Sequence, residues 1–270
     1  MRFVSFNANG IRARLHQIEA IETSHAPEII AIQECKVADE SFPMDDVRAL
    51  GFPHVHIYGQ KGHYGVALLS KRAPIHVQHG IPWRDDEQQR RFIAADYELN
   101  GQNLRVINGY FPQGESRDHP TKFPAKEQFY ADVTRYLTDH CDPGQAVIVA
   151  GDMNVAPEDA DIGIGADNNK RWLRAGKASF LPEERQWLSA LFGWGLDDTY
   201  ARAADGDRLM SWFDYRSRGF ERTPKRGLRI DLILASKPLA ARLRECGIDH
   251  DIRAQEKPSD HCPIWIEFDT

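Results

Sequence analysis

Residues 146–154 read Ala-Val-Ile-Val-Ala-Gly-Asp-Met-Asn. Five apolar residues in succession, with β-branched side chains at the centre, predict a strand, and the absence of apolar/polar alternation means that both of its faces are covered. That is the signature of a central strand in a layered α/β protein. Residues 66–69 (VALL) and 232–235 (LILA) have the same character, and further apolar runs at 3–6, 29–32, 92–97, 104–110, 228–235 and 263–268 predict the remaining strands. Helical periodicity lies between them. Pro124 opens a segment with Phe129, Val133, Tyr136 and Leu137 on one face, and Pro182 with Glu183 and Glu184 opens another that carries Trp187, Leu188, Leu191 and Phe192, with Gly193 as its stop. No linker, low-complexity tract or short repeat interrupts the pattern, so a single domain over 1–270 is expected.

Composition narrows the class. A hydrophobic fraction of 41% and a charged fraction of 27% are those of a folded soluble enzyme and carry no bias toward disorder. No apolar run approaches the ~18 residues that a membrane span requires, so a cytoplasmic protein with no membrane partner is expected. The cysteines, Cys35, Cys141, Cys246 and Cys262, are widely spaced and form no C-x-x-C pair, which argues against zinc and for reduced thiols. A net charge of −6 argues against a protein that holds nucleic acid mainly by bulk electrostatics. Residues 216–229 nevertheless hold six basic residues and one acidic, a concentrated positive segment.

Polar residues recur where apolar runs end: Asn7 after 3–6, Glu34 after 29–32, Tyr110 after 104–109, and Asp152 and Asn154 after 146–150. In layered α/β folds ligands collect outside strand ends, so these side chains are expected to face one cleft. If the backbone stays extended, Asp152 and Asn154 project to one side, as do Asn7 and Asn9, and a carboxylate beside an amide can orient a water molecule. Asp231 interrupts an otherwise buried run, and an unpaired buried carboxylate costs several kcal/mol, so it needs a histidine, an arginine or a metal as partner. His261, next to Asp260 in a Pro-bounded turn, is a candidate whose tautomer Asp231 would fix. Each residue alone has an ordinary structural reading as a cap, turn former or surface group. As a set, oxygen-rich and without thiolates, they suit a hard cation such as Mg²⁺.

The ordered motifs FNANGIRA, IQECK, GHYGVALLS, INGYFPQGESRDHP, GDMNVAP, DIGIG, SFLPEER, SWFDYRS, GLRIDL and KPSDHCPI, which span residues 6–264, resemble those of the exonuclease III class of abasic-site endonucleases. The resemblance, which covers residues 2–268, implies a four-layered α/β sandwich with two facing mixed β-sheets flanked by helices. It also implies a Mg²⁺-dependent nuclease, with Mn²⁺ able to substitute. Its partner would be double-stranded DNA with abasic sites or blocked 3′ ends, and a monomer is expected. Such enzymes incise 5′ to abasic sites, digest from 3′ ends, and clean 3′ ends as phosphatases or phosphodiesterases.

Carried over residue by residue, the resemblance makes Glu34 the main metal ligand, with Asn7, Asp260, Asp152 and Asn154 at or near the metal. Asp152 with Asn154 would activate the attacking water, His261 held by Asp231 would stabilise the phosphate, and Tyr110 would hydrogen-bond the phosphate or help the leaving oxygen. Trp212, Phe213, Leu228 and Ile230 would form an apolar niche for an extruded abasic sugar. Ser179 stands where a larger side chain would obstruct that niche. Gln113, Arg216 and Lys170 would contact the DNA, along with the other basic residues of 170–174 and 216–226. The sequence also admits two rival readings: a same-scaffold phosphoesterase acting on non-DNA substrates, and a catalytically inert DNA-binding module.

Overall fold

The computed structural model describes residues 1–84, 89–99, 101–204 and 208–269. Among these, twelve strands run in chain order as β1 (Arg2–Asn7), β2 (Ile29–Gln33), β3 (His54–Tyr58), β4 (Val66–Ser70), β5 (His76–His79), β6 (Phe92–Leu99), β7 (Gln102–Tyr110), β8 (Ala146–Asp152), β9 (Leu196–Asp198), β10 (Asp231–Ser236), β11 (Leu243–Ile248) and β12 (Ile264–Phe268). They form two six-stranded sheets, ordered β11-β12-β1-β2-β4-β3 and β5-β6-β7-β8-β10-β9. Both sheets are mixed, because β1 with β2 and β7 with β8 are parallel pairs among antiparallel neighbours.

The opening run explains the layering. Ile148 and Ala150 face the other sheet and pack in one core with Ile29, Ala31, Val66 and Leu68. Val147 and Val149 face outward, against helices. The longer helices are α1 (Leu15–His25), α2 (Met44–Ala49), α3 (Lys122–His140), α4 (Ala166–Arg174) and α5 (Pro182–Trp194). Phe129, Val133 and Leu137 of α3 with Leu188 and Leu191 of α5 cover the second sheet, and Ile18, Ile21 and Val47 of α1 and α2 cover the first. The result is the expected helix–sheet–sheet–helix sandwich, in which each large aliphatic side chain taken out of water contributes about 1.5–3 kcal/mol.

Differences from the sequence reading have physical causes. The strands that the apolar runs did not reveal, β3, β5, β9 and β11, are the four sheet edges, where side chains are mostly half-buried and the sequence is polar. The run 228–235 enters the sheet only at Asp231, because Leu228 pairs instead with Trp212 and Ile162. Helix α5 passes Gly193 and stops at Gly195, whose φ of 126° is open to glycine. Helix α3 begins at Lys122, two residues before Pro124, which sits in the first turn where no amide donor is needed. Helix α4 buries no residue, so it left no apolar stripe to read. Among the described residues no helix is long and apolar enough to cross a membrane.

Arg229, just before β10, is fully buried and fixes the entry of the chain into the sheet. Its guanidinium donates to Asp161 at 2.7 and 3.0 Å and to Asp198 at 2.7 Å. Arg229→Met leaves two buried carboxylates short of a partner, and urea unfolding is expected to register a loss of about 3–5 kcal/mol. A change below about 1 kcal/mol would show that Arg208, which also pairs with Asp161, suffices alone.

Candidate active site

The parallel pairs and the antiparallel returns bring strand ends to one side of the sandwich. Asn7 closes β1, Glu34 follows β2, Tyr110 closes β7, Asp152 closes β8, Asp231 opens β10, and Asp260 with His261 precedes β12. Gly151 makes the approach of β8 to β7 possible: a Cβ there would lie 1.9 Å from the Gly109 carbonyl oxygen, and its φ is 145°. Several non-glycine residues around the site also hold positive φ, among them Asn9 (46°), Glu34 (53°), Lys36 (56°), Asn154 (53°) and Ser179 (113°). Such strain persists only where the surrounding packing over-determines it.

Asp231 and Asp152 are direct partners across the β10–β8 pair. His261 sits between them, with Nδ1 at 2.9 and 3.0 Å from the Asp231 oxygens and Nε2 at 3.7 Å from Asp152 Oδ2. Ser211 Oγ donates to Asp231 at 2.6 Å and accepts the Ile230 and Asp231 amides, which locks that carboxylate. Burial disfavours the imidazolium, but Asp231 and Asp152 outweigh it and lift the His261 pKa to about 10. Burial, with Asp231 and Glu34 nearby, lifts Asp152 to about 7 against the opposing pull of His261 and Asn7. Burial also raises Glu34, but Lys36, Asn7 and His261 more than offset it and hold that carboxylate below its ordinary value. Tyr110 is pushed well above its ordinary value by burial and by Glu34, so its phenol stays a donor.

The Asn7 amide nitrogen donates to Glu34 and to Asp152, both at 2.9 Å. Its oxygen accepts the Asn9 amide, which turns the chain away from the extended path that the spacing suggested. The same departure occurs at Asn154, whose backbone amide returns to Asp152 Oδ1 and whose side chain donates to the Phe111 carbonyl. Asp260 accepts from Asn9 at 2.7 Å and from the Trp212 indole at 3.1 Å. One ligand atom from each of Glu34, Asp152 and His261 lies within 4.8 Å of the others, and Lys36 pairs with Glu34 at 2.8 Å. Burial first, then the Asp231 and Glu34 charges, raise Asp152 to about 7, and this oxygen-dominated donor set fits a hard divalent cation.

A cavity of about 340 Å³ opens on this cluster. Of the predicted substrate residues, Trp212, Ile230, Gln113 and Arg216 line it, as does Ser179. Phe213 and Leu228 do not. Phe213 is fully buried against Phe220 and His250, and Leu228 is fully buried with Ala156 and Phe180, so both stand behind the wall as core. Lys170 is exposed on α4, outside the cavity lining.

The sequence reading missed Trp172, Lys177 and Asp214 in the wall, and Lys36, Ser211 and Arg91 around it. Trp172 stacks on Phe180 and carries the Lys177 ammonium 3.8 Å from its ring centre. The available signal was an aromatic residue set among bases in the run KRWLR. Arg91 lies over the rings of both Tyr64 and Tyr110.

Facing sheets thus converge on a carboxylate–imidazole cluster with an adjoining niche. The chain belongs to the endonuclease/exonuclease/phosphatase family, which residues 4–261 match. It is 55% identical over 269 residues to the exodeoxyribonuclease III of Haemophilus influenzae, covering 99% of this chain and 100% of that one. Among solved structures it resembles the 3′ phosphatase NExo from Neisseria bound to product DNA hairpin (TM-score 0.89, 36% identity). It also resembles an AP endonuclease from Archaeoglobus fulgidus (TM-score 0.90, 32% identity), and in both cases all of each chain is covered.

In metal-free protein the His261 ring should remain protonated through pH 8, as read from the ring nitrogens by NMR. In Asp231→Asn the ring should lose its proton at lower pH, because burial then acts with one counter-charge fewer. A wild-type ring already neutral at pH 7 would contradict the charge arrangement.

Proposed function

We propose that the chain is a DNA repair nuclease that hydrolyses phosphodiester bonds of duplex DNA with magnesium. It incises 5′ to abasic sites and trims or cleans 3′ ends. The observation that carries this reading is that the Asp231–His261–Asp152 chain opens directly into a cavity walled by Trp212 and Ile230: hydrolytic groups and a niche for an extruded sugar share one space. The likeness to exodeoxyribonuclease III and to an AP endonuclease supports it, as does a neighbour bound to DNA. Manganese can take the place of magnesium in an oxygen-rich set. A cytoplasmic location belongs to the same reading, and the four unpaired cysteines suit it.

Glu34 and Asp152, with Asn7, Asn154 and Asp260 around them, would hold the cation, which when bound neutralises charge on the phosphoryl oxygens and favours in-line attack. Asp152 takes the proton from a water that Asn154 helps to orient. His261, kept cationic by Asp231, donates from Nε2 to a phosphoryl oxygen. Tyr110, kept protonated, donates to the phosphate or to the leaving oxygen. Water attacks directly, so no covalent intermediate is needed. Arg171, Lys177, Arg222 and Arg226 line an adjoining hollow of about 220 Å³ that continues past Trp172 and Trp212. They position the backbone without reading sequence, which makes binding salt-sensitive on an acidic chain.

The test is a duplex carrying one central abasic-site analogue, run with magnesium or EDTA beside an undamaged duplex. Incision immediately 5′ to the analogue is expected, lost in EDTA and reduced by about 10²-fold or more in Asp152→Asn, the range of a general base. Trimming of 3′ ends alone would remove the niche from the account. Failure to cut either duplex would favour a non-DNA phosphoester substrate.

A further inference from the structure

Behind the cavity wall, Lys126 of α3 and Glu184 of α5 form an ion pair in which both side chains are fully buried. The Lys126 ammonium has three protons and three acceptors: Glu184 Oε1 at 2.5 Å, the Asn154 carbonyl at 2.9 Å and the Gln113 carbonyl at 3.3 Å. Glu184 in turn accepts the Ser179 amide at 2.8 and 3.1 Å and the Leu181 amide at 2.8 Å. Gln113, Asn154 and Ser179 come from three separate segments, and all three line the cavity. Asn154 and Ser179 also hold positive φ, a conformation their own backbone would leave if released.

A buried ion pair is a poor device for stability alone, because well-packed apolar side chains of the same volume usually serve as well or better. Here two of the three ammonium protons are spent on backbone that belongs to the cavity wall. We infer that the Lys126–Glu184 pair is a positioning device for the active site. It clamps the Asn154 and Gln113 backbone from behind and, through Glu184, holds the Ser179 turn, so that the Asn154 side chain stays beside Asp152. Neither residue touches substrate. The inference rests on the nuclease reading above and adds to it a pair of residues that acts through others.

Lys126→Met alone strands a buried carboxylate and can simply unfold the protein. The informative variant is the double substitution Lys126→Met with Glu184→Gln. It leaves no charge, nearly conserves volume and keeps an amide oxygen for the Ser179 and Leu181 amides, but offers nothing to the Asn154 and Gln113 carbonyls. Steady-state kinetics on the abasic duplex, with thermal melting alongside, are expected to show a folded variant with kcat reduced about tenfold or more and KM within about threefold of wild type, the pattern of a lost transition-state contact. Wild-type kcat in the folded variant would overturn the inference, as would a loss confined to KM or one that matches the unfolded fraction.

Should the double variant fail to fold, Lys126→Arg carries the test. It keeps the charge but presents a planar fork in place of three tetrahedral donors, so kcat should fall at unchanged KM, and an unaltered kcat would overturn the inference. Wild-type protein run in parallel separates the two claims: if it does not incise, the nuclease reading fails and this one falls with it.

Discussion

Asp152 and Asp231 face each other across the β8–β10 pair, with Glu34 close by, and His261 is threaded between the first two. Like charges opposed on one sheet repel, and burial multiplies the cost. The rest of the site can be understood as the means of holding this arrangement. Ser211 clamps Asp231, the Asn7 amide bridges Glu34 and Asp152, Lys36 offsets Glu34, and the imidazole carries a positive charge between two carboxylates. Groups that would separate in a softer framework are held together because each sits at the end of a strand covered on both faces. Electrostatic preorganisation of this kind does not need to be assembled when substrate arrives.

The framework also absorbs backbone strain. Glu34, Asn154 and Ser179 would each relax if their chain segments were free, yet the segments are pinned by β2, by β8 and by the buried Lys126–Glu184 pair. Gly151 lets β8 approach β7 where a side chain would collide with the Gly109 carbonyl, and Gly109 leaves room for the Phe111 ring. Stability generated in the three apolar layers is thus set against local strain at one end of the sandwich, where the chemistry is.

The central strands were legible because burial on both faces writes itself as an unbroken apolar run, as at 146–150. Edge strands such as β3 and β11, and a helix such as α4 with no fully buried residue, write no such pattern and went unseen, as did α1 and α2, although Ile18, Ile21 and Val47 are buried against the first sheet. At the site, the Asp231 to His261 hydrogen bond was foreseeable because a carboxylate inside a buried run requires a partner. The positions of Phe213 and Leu228 were not. An apolar side chain in a niche and one in the core behind it look alike in sequence, and only packing distinguishes them. Lys126 was hidden for the opposite reason: a lysine in a helix reads as a solvated residue until the fold buries it.

A carboxylate cluster that acts as a cation site exists only in the folded chain. Thermal melting of the wild type and of Glu34→Ala across a magnesium titration tests this most directly, since a ligand bound only by the native state raises the melting temperature with its concentration. A progressive rise is expected for the wild type and little or none for Glu34→Ala. A wild-type melting temperature indifferent to magnesium, or an equal rise in both proteins, would contradict it.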